Sequence, residues 1–386
     1  MAKMTVRTSV VAVNAKVFKW LRESAGYSIE EITDIIKPKI NLKELEERNE
    51  DIKLPLSTIK KLAKLYKRQV GCFFFPTVPE DEKEIKLTYY RMVGLEPVEL
   101  KLGTEEAKKI YLAYRRARYY QSIIEDISEE GEGEEKKGKV EEEKEERRYS
   151  LTDDPEACSN KERERFEKER PDLMKGTHEK VLKNLRDLLA DNAIYTLQFD
   201  LPLDMIRGFS LTQKPYILVI NKNDSPTGKI FTLLHEYAHI LLRLNEDIIC
   251  SNMELLSNNN DNYKRTNNIK DIEIWCNRFA AAFLLPYKHI HNELLRYRKE
   301  PYRQLLERLS KNYKASTLAV AYRILNMRPD PIIQDRLLAL QDEIRADIEN
   351  IRIEAIQNIK KVEETYIFTW EDIPPSPVPL KSNYNR

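Results

Sequence analysis

The sequence predicts a mainly α-helical protein with a small β-sheet, in the α+β class. Helical spacing of apolar residues recurs along most of the 386 residues, whereas runs of strand length cluster between residues 192 and 220. A segment at residues 129–148 has Val140 as its one apolar side chain. Because such a segment cannot join a hydrophobic core, the chain is expected to fold as several units.

The first 80 residues show the pattern of four short helices. Gly26 is expected to end the first helix, as glycine often does just after a C-cap. Ser28 and Glu31 form a capping-box pattern at the start of the second helix. Pro55 ends the third helix, and the run GCFFFP closes the unit at Pro76. Residues 1–80 are therefore predicted to form a helix-turn-helix bundle.

The remaining boundaries follow from changes in composition. Residues 81–128 are expected to form a connecting segment with a helix that begins at Thr104. Residues 129–150 are predicted to be a charged linker. Residues 151–327 are predicted to form the compact α+β domain, and residues 328–386 an amphipathic helix followed by a proline-rich, disordered tail.

The run FTLLHEYAHILL, residues 231–242, carries the strongest chemical pattern. His235 and His239 are four residues apart, so on a helix both rings face one point and can hold a zinc ion about 2 Å away. Glu236 lies one step around the helix, where it can reach a metal-bound water as a base. The flanking residues are uncharged, which predicts a buried helix. The alternative is an ordinary core helix with two hydrogen-bonded histidines. Against it, only five histidines occur in the 386 residues, and two of them have this spacing around a glutamate.

A catalytic zinc site needs a third protein ligand. Leu241 and Leu242 occupy the positions at which a metzincin continues toward its third histidine, so that class is excluded. Glu273 is the best candidate because it interrupts an otherwise apolar helix, and Asn277 one turn later is expected to support a histidine by a hydrogen bond. Alternatively, Glu273 is an exposed acid near a helix start. The weaker ligand candidates are His178, His289 and His291.

Four runs occur in the order RGFSL, PYILVIN, FTLLHEYAHILL and IEIWCNRFAAAFLLP. Together, over about residues 177–327, they resemble the ImmA/IrrE metallo-endopeptidase family. The resemblance implies that Zn²⁺ is bound by His235, His239 and Glu273, with Glu236 as the base. It also implies that the protein substrate is a regulator of transcription, typically a repressor. Residues 14–76 resemble the Xre-type helix-turn-helix domain that is often fused ahead of this peptidase.

The charges of the predicted recognition helix do not suit DNA. This segment is acidic on balance, and its carboxylates are Glu44, Glu46, Glu47, Glu50 and Asp51. The basic residues are instead grouped on the fourth helix, at Lys60, Lys61, Lys64, Lys67 and Arg68. Because carboxylates repel phosphates, DNA binding and a protein-interaction role both remain open for this unit.

The sequence therefore predicts a zinc-dependent endopeptidase that cleaves a regulatory protein and so controls gene expression. The alternative is a non-catalytic regulator that binds DNA or protein and keeps the peptidase fold as a scaffold. A net charge of +1 excludes nucleic-acid binding by the molecule as a whole. Four cysteines without a C-x-x-C pair, no secretory signal and no long apolar segment predict a cytoplasmic protein without a membrane span.

Overall fold

The computed structural model describes residues 9–37, 39–79, 102–131, 149–203, 206–242, 262–328 and 330–365. These residues form thirteen α-helices, one 3₁₀ helix and two small β-sheets. The mainly α architecture with a small sheet is therefore confirmed. None of the helices in these ranges is long and apolar enough to cross a membrane.

The N-terminal unit contains four α-helices and a two-stranded sheet. Its elements are β1 (Val10–Val13), α1 (Ala15–Glu23), α2 (Ile29–Ile35), α3 (Leu42–Arg48), β2 (Ile52–Pro55), α4 (Leu56–Tyr66) and a 3₁₀ turn (Val70–Phe74). The capping box of Ser28 and Glu31 is present at the start of α2. The antiparallel pairing of β1 with β2 was not predicted, because four-residue strands give little periodic signal.

A long helix, α5 (Glu105–Gly131), joins this unit to the rest of the chain. On one side Lys108 forms an ion pair with Glu31, at 2.8 Å between Nζ and Oε1. Gly26, with φ of 78°, lets the backbones approach here, because a Cβ would lie 2.8 Å from the Cα of Lys108. On the other side, Gln121 donates hydrogen bonds to the carbonyls of Gln213 and Pro215, both at 2.9 Å.

The second unit is built on a three-stranded sheet between helices. Its elements are α6 (Pro155–Glu169), α7 (His178–Asp191), β3 (Ile194–Phe199), β4 (Gly208–Leu211), β5 (Tyr216–Asn221), α8 (Pro226–Leu242) and α9 (Asn262–Leu284). Strand β5 is central and buried, with β3 parallel on one side and β4 antiparallel on the other. Helix α5 packs on one face of the sheet, and α8 packs on β4 and β5 from the other side.

Four further helices extend the same core: α10 (Tyr287–Arg296), α11 (Tyr302–Tyr313), α12 (Thr317–Leu325) and α13 (Gln334–Thr365). The predicted amphipathic helix after residue 328 corresponds to α13, which contributes Leu337, Leu340 and Ile344 to that core. The predicted proline-rich tail from residue 366 lies outside the described residues, as does most of the predicted linker, residues 132–148.

Candidate metal centre

Helix α8 carries the two histidines into the interior. Ser225 precedes the helix, and its hydroxyl accepts a hydrogen bond from the backbone N–H of Gly228 at 3.1 Å, as an N-cap residue does. Pro226 follows at the first helical position, where its missing N–H costs nothing. The second half of the helix is buried almost without interruption, from Thr232 to Leu242. This confirms the burial that the uncharged flanks predicted.

Three candidate ligand side chains meet at one point. The Nε2 atoms of His235 and His239 are 3.2 Å apart. The carboxylate of Glu273, on α9, places Oε2 3.1 Å from Nε2 of His235 and Oε1 3.2 Å from Nε2 of His239. His235 is 1% exposed and His239 9% exposed. In the described part of the chain, these three residues form the one group of ligand-type side chains that converges in this way.

This donor set fits a divalent cation, and zinc in particular. Two imidazole nitrogens and one carboxylate are a usual protein ligand set for catalytic zinc. Both histidines direct the same ring nitrogen at the same carboxylate, so a cation between them satisfies all three groups at once. Glu236 is 4% exposed and is not one of the converging donors, which leaves its carboxylate available as a base.

The electrostatics of the site favour positive charge. Burial acts to raise the pKa of Glu273, but the rings of His235 and His239 outweigh it and hold the pKa below its usual range. Burial acts to lower the pKa of His239, but the Cys276 thiol and the Glu273 carboxylate raise it well above the usual value. The carboxylate of Glu273 therefore remains ionised beside the positive charge on His239.

The neighbour of His239 differs from the expected one. The thiol of Cys276, fully buried on α9 one turn after Glu273, lies beside His239 and acts to raise the pKa of its ring. Asn277, the predicted partner, is partly exposed, and among the described residues it makes no hydrogen bond to either histidine. The three other histidines take no part in the centre: His178 begins α7, and His289 and His291 lie on α10.

Strand β4 brings its backbone against Glu236. A Cβ placed on Gly208 would lie 2.5 Å from Cγ2 of Thr232, 2.6 Å from the carbonyl oxygen of Val219 and 3.4 Å from Oε1 of Glu236. Only glycine fits this gap without a shift of strand or helix. Asn221 fixes the loop that leads into β4, because its amide donates to the carbonyl of Leu201 at 2.8 Å.

A buried polar network holds α8 against α6. The hydroxyl of Tyr237 donates to Oε2 of Glu162 at 2.7 Å, and Arg165 donates to the same hydroxyl at 3.1 Å. Arg165 also pairs with Glu162 at 3.0 Å. Tyr237 lies between Glu236 and His239 on α8. Because its hydroxyl is held by this network, the network fixes the rotation of the helix and so the direction of both side chains. The sequence analysis missed Glu162, whose signal was an acid paired at i+3 with an arginine in a strongly charged helix.

Comparisons with known proteins find a family match over the residues of this site. Residues 190–325 match the family model of the IrrE N-terminal-like domain. The radiation response metalloprotease IrrE of Deinococcus deserti is 30% identical over 118 residues, which are 31% of this chain and 39% of that protein. Its counterpart in Deinococcus radiodurans is 32% identical over 117 residues, 30% of this chain and 33% of that protein.

The chain thus matches between a third and two fifths of the length of these relatives. A solved structure of a Mycobacterium tuberculosis transcriptional regulator aligns over 46% of this chain and 49% of its own, with 16% identity and a TM-score of 0.34. The family match covers β3 to α12, and therefore both histidines, Glu236 and Glu273. Over residues 190–325, the chain is therefore similar to the IrrE N-terminal-like domain of these metalloproteases.

Proposed function

We propose that the protein is a zinc-dependent endopeptidase that cleaves a regulatory protein. The observation that carries the proposal is the convergence of His235, His239 and Glu273 beside an unshared, buried carboxylate, Glu236. Three protein ligands leave a position for water, which is the arrangement of catalytic rather than structural zinc.

In this mechanism His235, His239 and Glu273 would hold the ion. When bound, zinc supplies Lewis acidity, which lowers the pKa of water and polarises a peptide carbonyl. Glu236 accepts the proton of the attacking water and returns it to the leaving amine. Its burial in α8 beside Gly208 keeps bulk water away from the carboxylate, and the Tyr237 network keeps the helix from rotating.

The shape of the site supports an extended peptide as the substrate. Strand β4 lies at the edge of the three-stranded sheet, and its first residue, Gly208, lies beside Glu236. An extended segment can pair with an edge strand through main-chain hydrogen bonds, which places its backbone next to the base. A repressor as the target rests on the family resemblance. The cytoplasmic location rests on the cysteine pattern.

The second candidate function is a non-catalytic regulator that uses this domain as a scaffold. The observation in its favour is the separate N-terminal unit, which has its own core around Phe18, Leu21 and Ile32. A scaffold, however, has no need of a complete ligand set and a buried base. The two functions differ in whether a captured partner is cut.

The test uses the full chain and its Glu236→Gln variant. The variant is expected to bind zinc as the wild type does, because Glu236 is not a ligand, and to capture a protein partner without cleaving it. Cleavage is expected to fall by about 10²–10⁴-fold, the usual contribution of a general base. Glu307→Gln, an exposed change of the same chemistry on α11, is the control and should cut normally. Equal cleavage by Glu236→Gln would exclude Glu236 as the base. Full zinc in both proteins with no cleavage by either would favour the scaffold.

A further inference from the structure

The acidic residues of α3 are largely neutralised within the N-terminal unit. Glu46 is 8% exposed, and its carboxylate accepts hydrogen bonds from Nε and Nη2 of Arg22, at 3.0 and 2.7 Å. Glu44 pairs with Arg48 at 2.5 Å. Two charged side chains of α3 remain outside these pairs, Lys43 and Glu47, and their charges cancel. This helix therefore offers phosphates neither a net positive charge nor an arginine outside an ion pair. A polyanion that binds this unit must be attracted by another surface.

Helix α4 offers such a surface. Its inward face is fully buried and consists of Ile59, Leu62, Ala63 and Tyr66. Its outward face carries Lys60, Lys61 and Lys64, followed by Lys67 at the helix end, all exposed. The helix contains no acidic residue, and in the described part of the chain no carboxylate pairs with these four lysines. Four like charges on one helix repel one another, which is a cost unless a polyanion binds there.

The spacing of these lysines suits a phosphate backbone. Lys60, Lys64 and Lys67 follow one another on one side of the helix, over about 10 Å at about 1.5 Å per residue. Phosphates on one DNA strand advance by about 3.4 Å along the axis, so this row spans about three of them. Lys61 lies beside the row and can reach the neighbouring phosphates.

Helix α5 reaches the end of α4 near this surface. Nη2 of Arg115 donates to the carbonyl of Tyr66 at 2.9 Å, which places this part of α5 at the end of α4, next to Lys67. Arg116 follows and is exposed, and Tyr119, one turn later on the same helix, is 64% exposed. Arginine and an exposed aromatic ring are the groups with which proteins hold phosphates and stack on bases.

We propose that this cationic face, defined as Lys60, Lys61, Lys64 and Lys67, binds the phosphate backbone of a nucleic acid. The face consists of lysines, which bind phosphates as point charges, and contacts with phosphates carry no direct sequence information, so we expect binding with little sequence preference. Helix α3 does not enter the groove. This function is separate from the metal centre and does not depend on it.

The test measures binding of the full chain to two labelled probes, a 20-base-pair duplex and a single-stranded 20-mer, over a range of salt. With about four phosphates contacted and a slope of about −0.9 per phosphate, duplex affinity should fall about 100-fold between about 50 and about 200 mM salt. In the triple variant Lys60→Gln, Lys64→Gln and Lys67→Gln, one lysine of the face remains, and the same change of salt should lower the duplex affinity only about three- to fourfold. The single-stranded probe shows whether Tyr119 adds stacking.

The control variant removes the same charge elsewhere. It carries Lys168→Gln, Lys288→Gln and Lys311→Gln, three exposed lysines of the second unit, and should bind as the wild type does. Melting temperatures of both triple variants equal to that of the wild type show that the fold is intact. The proposal is overturned if the wild type binds neither probe at about 50 mM salt, or if both triple variants lose the same affinity. It is also overturned if a polyglutamate peptide binds this face while nucleic acid does not.

Discussion

Replacing Gly208 by alanine is expected to displace β4 from α8 and so disturb the base without removing a ligand. The new methyl group would meet Cγ2 of Thr232 at 2.5 Å and the carbonyl oxygen of Val219 at 2.6 Å. Ordinary carbon contacts need about 3.5–4.0 Å, so strand or helix must move by about 1 Å. The contact with the carbonyl cannot be relieved by a side-chain rotation, because that oxygen belongs to the central strand.

The size of the effect follows from this overlap. Overpacking of a buried site typically costs about 1–3 kcal/mol, so the free energy of unfolding should fall by about that amount. A displacement of about 1 Å near the reacting groups can reduce the rate about 100-fold. Because Glu236 lies 3.4 Å from the same methyl position, the loss should appear in kcat more than in KM.

The assay combines urea unfolding, zinc content and cleavage of the captured partner. Ser210→Ala is the matched control: this residue lies two positions further along β4, is partly exposed and should tolerate the change within about 0.5 kcal/mol. Unchanged stability and unchanged cleavage in Gly208→Ala would refute the reasoning, since the strand would then not be held against Glu236. Loss of zinc would show that the strand supports the ligands rather than the base.

Two further predictions concern single side chains. Glu273→Ala should weaken zinc binding strongly, as measured by competition with a coloured chelator, whereas His289→Ala should leave it unchanged; the opposite result would remove Glu273 from the ligand set. Arg22→Met should lower the free energy of unfolding by about 3–5 kcal/mol in a urea titration, because it leaves Glu46 buried and unpaired. Glu23→Gln is the control: the Glu23 side chain is 40% exposed, and the change should be about 0.5 kcal/mol or less. Equal losses in the two variants would contradict the buried pair.

The two histidines and the base could be predicted because one helix carries them. The spacing of His235 and His239 sets their relative position whatever surrounds them, and the apolar flanks predicted burial. Glu273 is different, because its place depends on how α9 packs on α8. The sequence restricted the choice by residue type, and the packing of the two helices determines that its carboxylate meets both rings.

The limits of the sequence reasoning also have physical causes. Positions i+3 and i+4 after Glu273 lie on the same side of the helix, so Cys276 and Asn277 were equally placed to support a histidine. The rotation of α9 decided between them, and that rotation is set by its aromatic core, in which Trp275 stacks on Phe279 at 5.5 Å. Likewise, the pattern of α5 predicted a helix but not the sheet that it covers.

The most direct test of the account is X-ray absorption spectroscopy of the zinc-loaded full chain at the zinc edge. Ligation by His235, His239, Glu273 and one water predicts nitrogen and oxygen neighbours at about 2.0–2.2 Å, with two imidazole rings and no sulfur. His239→Ala should reduce the imidazole count to one. A sulfur neighbour at about 2.3 Å would show that Cys276 binds the metal in place of a predicted ligand, and a shell without imidazole would contradict the metal centre altogether.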